Sequence, residues 1–133
     1  MQTDLVQQLV EQAHEWQLSF FSVARRKCDA YTLSPDKNWL ILELHFSQEP
    51  EDRYESEIID REFILVQLAG EQSGQEAARF RYYYNYNSYA DYTQEFGSGY
   101  RWTDQATLVV QEQRFELNQM PGPAIKAALA AFY

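Results

Sequence analysis

The chain has 133 residues, 45% of them hydrophobic and 16% aromatic, which excludes an intrinsically disordered protein because the apolar surface can offset the entropy of ordering. Twenty acidic residues against eleven Lys and Arg give a formal net charge of -9, and such a field repels phosphate backbones and argues against nucleic-acid binding. It favours a basic partner or a cation, or serves only solubility. The length predicts one domain over residues 1–133.

The sequence predicts a cytoplasmic protein that does not interact with a membrane. No apolar run approaches the length of a membrane span, and "MQTDLVQQLVEQ" has no basic segment followed by an apolar stretch. The single Cys28 excludes an internal disulfide framework and agrees with a reducing compartment. A mature form that has lost a leader is a second possibility.

The N-terminal segment predicts an amphipathic helix of about four turns. Thr3 can cap it, and Asp4 places a negative charge at the positive end of the helix dipole. The apolar face recurs at helical spacing through Leu5, Val6, Leu9, Val10, Ala13 and Trp16. The next segment, "LSFFSVARRK", predicts a strand, which "DAYTL" continues or pairs with.

The middle of the chain alternates between turns and strands. "SPDKN" predicts a turn, and "NWLILELHF" after it predicts a half-buried antiparallel strand. One face of that strand carries Leu40, Leu42, Leu44 and Phe46, and the other carries Trp39, Ile41, Glu43 and His45. The acidic "QEPEDRYESE" predicts a loop, and "IIDREFILVQLAG" predicts a further strand rather than a helix.

The C-terminal third predicts a hairpin and a helix. "ATLVVQEQRFEL" is typical of a hairpin around residues 111–113, and Pro121 or Pro123 begins a helix that carries Ile125, Leu129 and Phe132 on one side. The predicted fold is therefore α+β, with an N-terminal helix, an antiparallel sheet of about five or six strands and a C-terminal helix packed on one sheet face.

The most unusual stretch is "FRYYYNYNSYADYTQEFGSGYRW", residues 80–102, which holds seven of the ten tyrosines. Its first half alternates as a strand. One face is aromatic (Phe80, Tyr82, Tyr84, Tyr86), and Phe80, Tyr82 and Tyr84 are predicted to be core, whereas the other face is mostly polar (Arg79, Arg81, Tyr83, Asn85, Asn87).

The second half of this stretch keeps its aromatic residues but loses the alternation. Large rings with polar tips, set among acids and the flexible segment 97–99, are typical of contact surfaces. The sequence therefore predicts that several rings are exposed and form a partner-binding site. Its residues are Tyr89, Asp91, Tyr92, Glu95, Tyr100 and Trp102.

No motif names a reaction, and we predict no catalytic residue and no cofactor. His14 and His45 do not stand at metal-ligand spacing, and there is no phosphate loop, nucleophile elbow or dinucleotide fingerprint. Cys28 follows "ARRK", whose cations favour a thiolate, and could pair with His45 as nucleophile and base. The acidic loop offers oxygen ligands for calcium without the EF-hand pattern; the candidates are Glu49, Glu51, Asp52 and Glu55.

Three functions are compatible with these features. The favoured one is a non-catalytic module that neutralises or escorts another protein, as an inhibitor, immunity protein or chaperone does, with a partner that carries a basic surface. The alternatives are a small-ligand or calcium-binding protein, and a small enzyme that uses Cys28 or paired carboxylates. In size, acidity and element order the chain resembles type III secretion chaperones and bacterial immunity proteins, which implies that it acts by binding another protein.

Overall fold

The computed structural model describes residues 2–13 and 27–133, in which two α-helices and eight antiparallel strands form an α+β fold. The elements are α1 (Gln2–Ala13), β1 (Lys27–Leu33), β2 (Trp39–Gln48), β3 (Glu57–Gln67), β4 (Glu76–Asn87), β5 (Tyr92–Gly97), β6 (Tyr100–Thr103), β7 (Thr107–Val110), β8 (Gln113–Glu116) and α2 (Gly122–Leu129), with 3-10 turns at Leu117–Gln119 and Ala130–Phe132. The strands make two sheets, ordered β1-β2-β3-β4-β5 and β6-β7-β8, rather than the predicted single sheet of five or six strands. Trp16 and residues 18–26 of the strand predicted for "LSFFSVARRK" lie outside the described residues.

The face of β2 that carries leucines is buried, as the alternation predicted, and it forms a core with α1. Leu40, Leu42 and Leu44 are fully buried, and Val6 and Leu9 of α1 belong to the same cluster. Phe46, near the end of the strand, is half-buried. Because a fully buried leucine contributes about 1.5–3 kcal/mol, this strand is a main source of stability for the sheet.

The opposite face of β2 is also buried, and the expectation of a half-buried strand was wrong there. Trp39 and Ile41 are 4% and 0% exposed, because the second sheet covers them with Leu108 and Val110. The indole Nε1 of Trp39 donates a hydrogen bond of 2.8 Å to Asn118 Oδ1. The five-stranded sheet is thus packed on both faces along much of β2.

The second sheet and α2 complete this core. The hairpin predicted around residues 111–113 is confirmed, and its turn uses Gln111 and Glu112 at φ 53° and 66° although neither is Gly or Asn. Helix α2 follows Pro121 and buries Ile125 and Leu129 in the same cluster, which Phe132 of the last 3-10 turn joins. The helix packs against β4 of the five-stranded sheet, so the predicted packing of this helix on a sheet face is matched in part.

Strand β4 alternates as predicted, but its polar face is not exposed. Phe80 pairs with Phe63 of β3, with ring centroids 5.0 Å apart, and lies in the core. On the other face Arg81 is fully buried, and its Nη2 donates to both carboxylate oxygens of Asp60 at 2.6 and 2.7 Å. Removing one partner of such a buried pair costs about 3–5 kcal/mol, since an uncompensated charge is left inside.

Candidate partner-binding surface

Three of the predicted site residues lie at one end of the five-stranded sheet, where β4 turns into β5. Tyr89 and Tyr92 are 63% and 48% exposed, and Asp91 between them is exposed as well. Tyr92 begins β5, and its hydroxyl donates to Gln94 Oε1 at 3.0 Å. The exposure predicted for this part of the aromatic stretch is therefore confirmed.

The acidic loop between β2 and β3 lies beside this turn. Tyr54, the one aromatic residue of the loop, is 55% exposed and contacts Tyr89 edge-on, with ring centroids 4.5 Å apart. The guanidinium carbon of Arg53 lies 4.9 Å from the centroid of the Tyr54 ring and 5.8 Å from that of Tyr89. We call loop 49–56, turn 88–91 and Tyr92 together the hairpin-end surface.

Side-chain hydrogen bonds hold both parts of the hairpin-end surface in place. Asp52 Oδ1 accepts from the backbone N–H groups of Tyr54 and Glu55 at 2.8 and 3.2 Å, which closes the loop turn. Asn87 Nδ2 donates to the carbonyl oxygen of Tyr54 at 3.0 Å, and its Oδ1 accepts from the N–H of Ala90 at 3.0 Å. One asparagine thus ties the acidic loop to the β4–β5 turn.

The acids of the loop surround these rings. Glu49, Glu51 and Asp52 are exposed and Glu55 is half-exposed, so their charges reach solvent beside Tyr54. Within residues 2–13 and 27–133, no group of three or more His, Cys, Asp and Glu side chains is placed to hold a metal ion. The loop is therefore a source of negative potential next to two exposed rings.

Glu95 lies on β5 but faces a different part of the sheet. It pairs with Tyr84, and its Oε2 accepts a hydrogen bond of 2.5 Å from the hydroxyl of Tyr82. That hydrogen bond is the largest cause that raises the pKa of Tyr82, to about 12. The carboxylate is consequently fixed on the face that carries Tyr82, Tyr84 and Tyr86, which we call the tyrosine row.

The tyrosine row leaves the core as it approaches the hairpin-end surface, whereas the sequence predicted that Tyr82 and Tyr84 both belong to the core. Tyr82 packs against the main cluster, Tyr84 is half-buried and Tyr86 is 36% exposed. Partial burial, together with the charges of Glu57 and Glu95, raises the pKa of Tyr84. This end of the sheet face is therefore aromatic and lies in a negative field.

Tyr100 and Trp102 are half-buried, so the exposure predicted for these two rings was wrong. Both lie in β6, are half-buried and pack against the main core. Trp102 Nε1 donates to Thr32 Oγ1 at 3.0 Å, and the Thr32 hydroxyl lies 2.6 Å from the Tyr100 hydroxyl, which donates to Glu43. This chain of hydrogen bonds joins the two sheets across their interface.

The expectation that strand structure lapses after Tyr86 was wrong. Residues 92–97 and 100–103 form β5 and β6, although their hydrophobic alternation is weak. The contact of Tyr54 with Tyr89 was not predicted, because Tyr54 stands twenty-six residues before the aromatic stretch begins; its position as the lone ring in an acidic loop was the available signal.

The residues weighed for catalysis are not brought together as cross-strand partners. In the register of β1 and β2, Cys28 stands opposite Leu44, whereas His45 stands opposite Lys27. His45 Nε2 lies 3.1 Å from Glu43 Oε1 instead. His14 lies outside the described residues.

Among residues 2–13 and 27–133, no helix is long and apolar enough to cross a membrane.

Comparison of the chain with protein-family models, with curated proteins and with solved structures finds no match.

Proposed function

We propose that the protein is a small, non-catalytic binding module whose hairpin-end surface captures a basic partner protein and neutralises or escorts it. The observation that carries this proposal is the contact between Tyr54 and Tyr89 at 4.5 Å. It joins two features that stand far apart in the sequence, the acidic loop and the aromatic turn, into one exposed patch.

The chemistry of that patch suits a protein partner. Exposed tyrosines supply large contact areas at a low cost in conformational entropy, and their hydroxyls remain able to form hydrogen bonds. Binding energy at protein interfaces concentrates in a few such anchors, whereas charges at the rim mainly raise the association rate. Tyr54 and Tyr89 are the anchors of this surface, and Glu49 and Glu51 belong to its rim.

The surface is also preorganised. The turns closed by Asp52 and Asn87 fix the backbone beneath both rings, so that a partner does not have to order these loops when it binds. The net charge of -9 gives long-range attraction toward a basic protein and repulsion from acidic ones.

The experiment compares three immobilised forms of the protein as baits for lysate proteins of the host: the wild type, the double variant Tyr54→Ala with Tyr89→Ala, and Tyr31→Ala. Tyr31 is a matched control, because it is 48% exposed but lies on β1, at the opposite edge of the sheet from β5. We expect a basic protein that the wild type and Tyr31→Ala retain and that the double variant loses. Equal retention by all three baits would remove the hairpin-end surface from the proposal.

Titration of the purified partner then tests the two roles separately. The double variant should weaken binding by about 2 kcal/mol or more, which is a factor of roughly 30. Glu49→Gln with Glu51→Gln should slow association and reduce its salt dependence while leaving dissociation nearly unchanged. Asp52 is left intact in that variant because its carboxylate holds the loop turn. Association rates that do not respond to the charge change would argue against electrostatic steering.

A further inference from the structure

Strand β5 is an edge of the five-stranded sheet and bears few of the usual protections against pairing. In the sheet formed by the described residues it pairs with β4 alone, and that pairing runs without a register shift. Residues 92–95 are all exposed. Its sequence, YTQEFG, has no proline and no lysine, the residues that commonly blunt an edge strand.

The register shows which backbone groups of β5 point away from β4. Residues that face each other in an antiparallel pair alternate between hydrogen-bonded and non-hydrogen-bonded positions. The N–H of Ser98 donates to the carbonyl of Arg81 at 3.1 Å, so this pair is a hydrogen-bonded one. Counting back along the ladder, Glu95 and Thr93 fall in non-hydrogen-bonded pairs with β4. Their N–H and C=O groups therefore point toward the open edge.

We infer that β5 accepts an extended, basic segment of the partner protein as an additional strand of the sheet. Main-chain hydrogen bonds to Thr93 and Glu95 would supply affinity, and alternating side chains of the added strand would supply specificity. This inference rests on the proposed function and extends it, because turn 88–91 of the hairpin-end surface leads directly into β5. A segment that lies along β5 therefore continues onto the hairpin-end surface.

The charges beside the edge select the segment. On one face of the added strand, the side chain opposite Glu95 lies next to that carboxylate, with Tyr84 one strand further into the sheet. A lysine or arginine at this position meets the carboxylate and extends toward an aromatic ring in a negative field. On the other face the alternate side chains lie next to Tyr92, which suits an apolar or aromatic residue. A second copy of this chain is a poor occupant because each copy carries a net charge of -9.

The experiment uses a displayed library of random eight-residue peptides, selected on the wild-type protein and then synthesised for titration. The key variant is Thr93→Pro, which deletes an outward N–H without deleting a bond to β4, and proline is tolerated in edge strands at such positions. Thr93→Ala is the matched control, since it removes the side chain and keeps the N–H. We expect peptides that alternate basic and apolar residues, with Kd raised at least tenfold by Thr93→Pro and less than twofold by Thr93→Ala.

Three outcomes separate this inference from the proposed function. If Thr93→Pro binds the selected peptides as well as the wild type does, and the double variant Tyr54→Ala with Tyr89→Ala does not bind them, strand addition is overturned. That result supports binding at the hairpin-end surface. If Thr93→Pro alone fails to bind the peptides, while the double variant binds them as the wild type does, the result supports strand addition and counts against the hairpin-end surface. A selection that yields no peptide overturns strand addition.

A second measurement does not depend on the folding of the proline variant. In the wild-type protein, a bound strand should slow hydrogen exchange of the Thr93 and Glu95 amides by at least tenfold. The Gln94 amide, which the register directs toward β4, should change little and is the internal control. Exchange of Thr93 and Glu95 that is unaffected by a saturating peptide would overturn the inference.

Discussion

Replacing Tyr100 with phenylalanine should lower the free energy of unfolding by about 2 kcal/mol, because the hydroxyl of Tyr100 links the two sheets. That hydroxyl donates to Glu43 and lies 2.6 Å from the hydroxyl of Thr32. The ring packs edge-on against Phe63 and Phe80, with centroids 5.1 and 5.7 Å away, and phenylalanine keeps these contacts. The substitution therefore isolates the polar link.

The magnitude follows from what remains around Glu43. A hydrogen bond to a charged group contributes about 1.5–3 kcal/mol when it is lost from a buried site. The Glu43 side chain is 17% exposed and keeps His45 as a neighbour at 3.1 Å, so its charge is not left wholly without compensation. The expected loss therefore lies near the lower half of that range.

Urea unfolding of four proteins measures the link directly: the wild type, Tyr100→Phe, Glu43→Gln and the double variant. The double-mutant cycle should return a coupling of about 1–2 kcal/mol at constant m-value. Burial, and then the hydrogen bond to Glu43, raises the pKa of Tyr100. The stability from this group is therefore present below pH about 10 and is lost as pH rises further, so Tyr100→Phe should decline less steeply above that pH. Two results together would refute the assignment of Tyr100 to the sheet interface. They are a coupling near zero, and a free energy of unfolding that falls equally steeply above pH about 10 in the wild type and in Tyr100→Phe.

Two further predictions concern the backbone at Gly97 and the carboxylate of Asp36. Gly97→Ala should lower the free energy of urea unfolding by about 2 kcal/mol or more, because φ is +76° and a Cβ would lie 1.8 Å from the carbonyl oxygen of Arg81. The control Gly99→Ala, whose Cβ would have no atom within 4 Å, should lower it by less than about 0.5 kcal/mol. Equal losses in the two variants would contradict this geometry. Partial burial raises the pKa of Asp36, but hydrogen bonds from Ser34 and Asn118 help to outweigh it and leave the pKa below 3.8. The stabilisation by the Asp36 carboxylate is therefore present above pH about 4 and lost as pH falls. The urea midpoint of Asp36→Asn should consequently fall less steeply than that of the wild type between pH about 5 and about 2. Identical slopes would count against a stabilising role of this carboxylate.

Local sequence patterns predicted most of the elements correctly. The helical spacing of Val6 and Leu9, the alternation of Leu40, Leu42 and Leu44, and the hairpin around residues 111–113 are all present in the structure. Each of these depends on neighbours within a few residues, since helical and strand periods are properties of the local backbone. The exposure of Tyr89 and Tyr92 was predicted on the same local grounds.

The tertiary structure alone decided which faces are covered and which rings meet. Alternation shows that Trp39 and Ile41 share a face, but their burial depends on a second sheet formed more than sixty residues later. The polar appearance of Arg81 likewise gave no sign of its buried partner Asp60, twenty-one residues away.

The candidate site has the same origin. The sequence by itself determined an acidic loop and an aromatic turn, because charge and ring content are properties of each segment. Only the pairing of β3 with β4 brings Tyr54 against Tyr89, since Glu57 stands opposite Tyr86 and the two flanking loops emerge at the same end of the sheet. Strand pairing is a choice among many distant partners, and its free energy comes from packing that no local pattern contains.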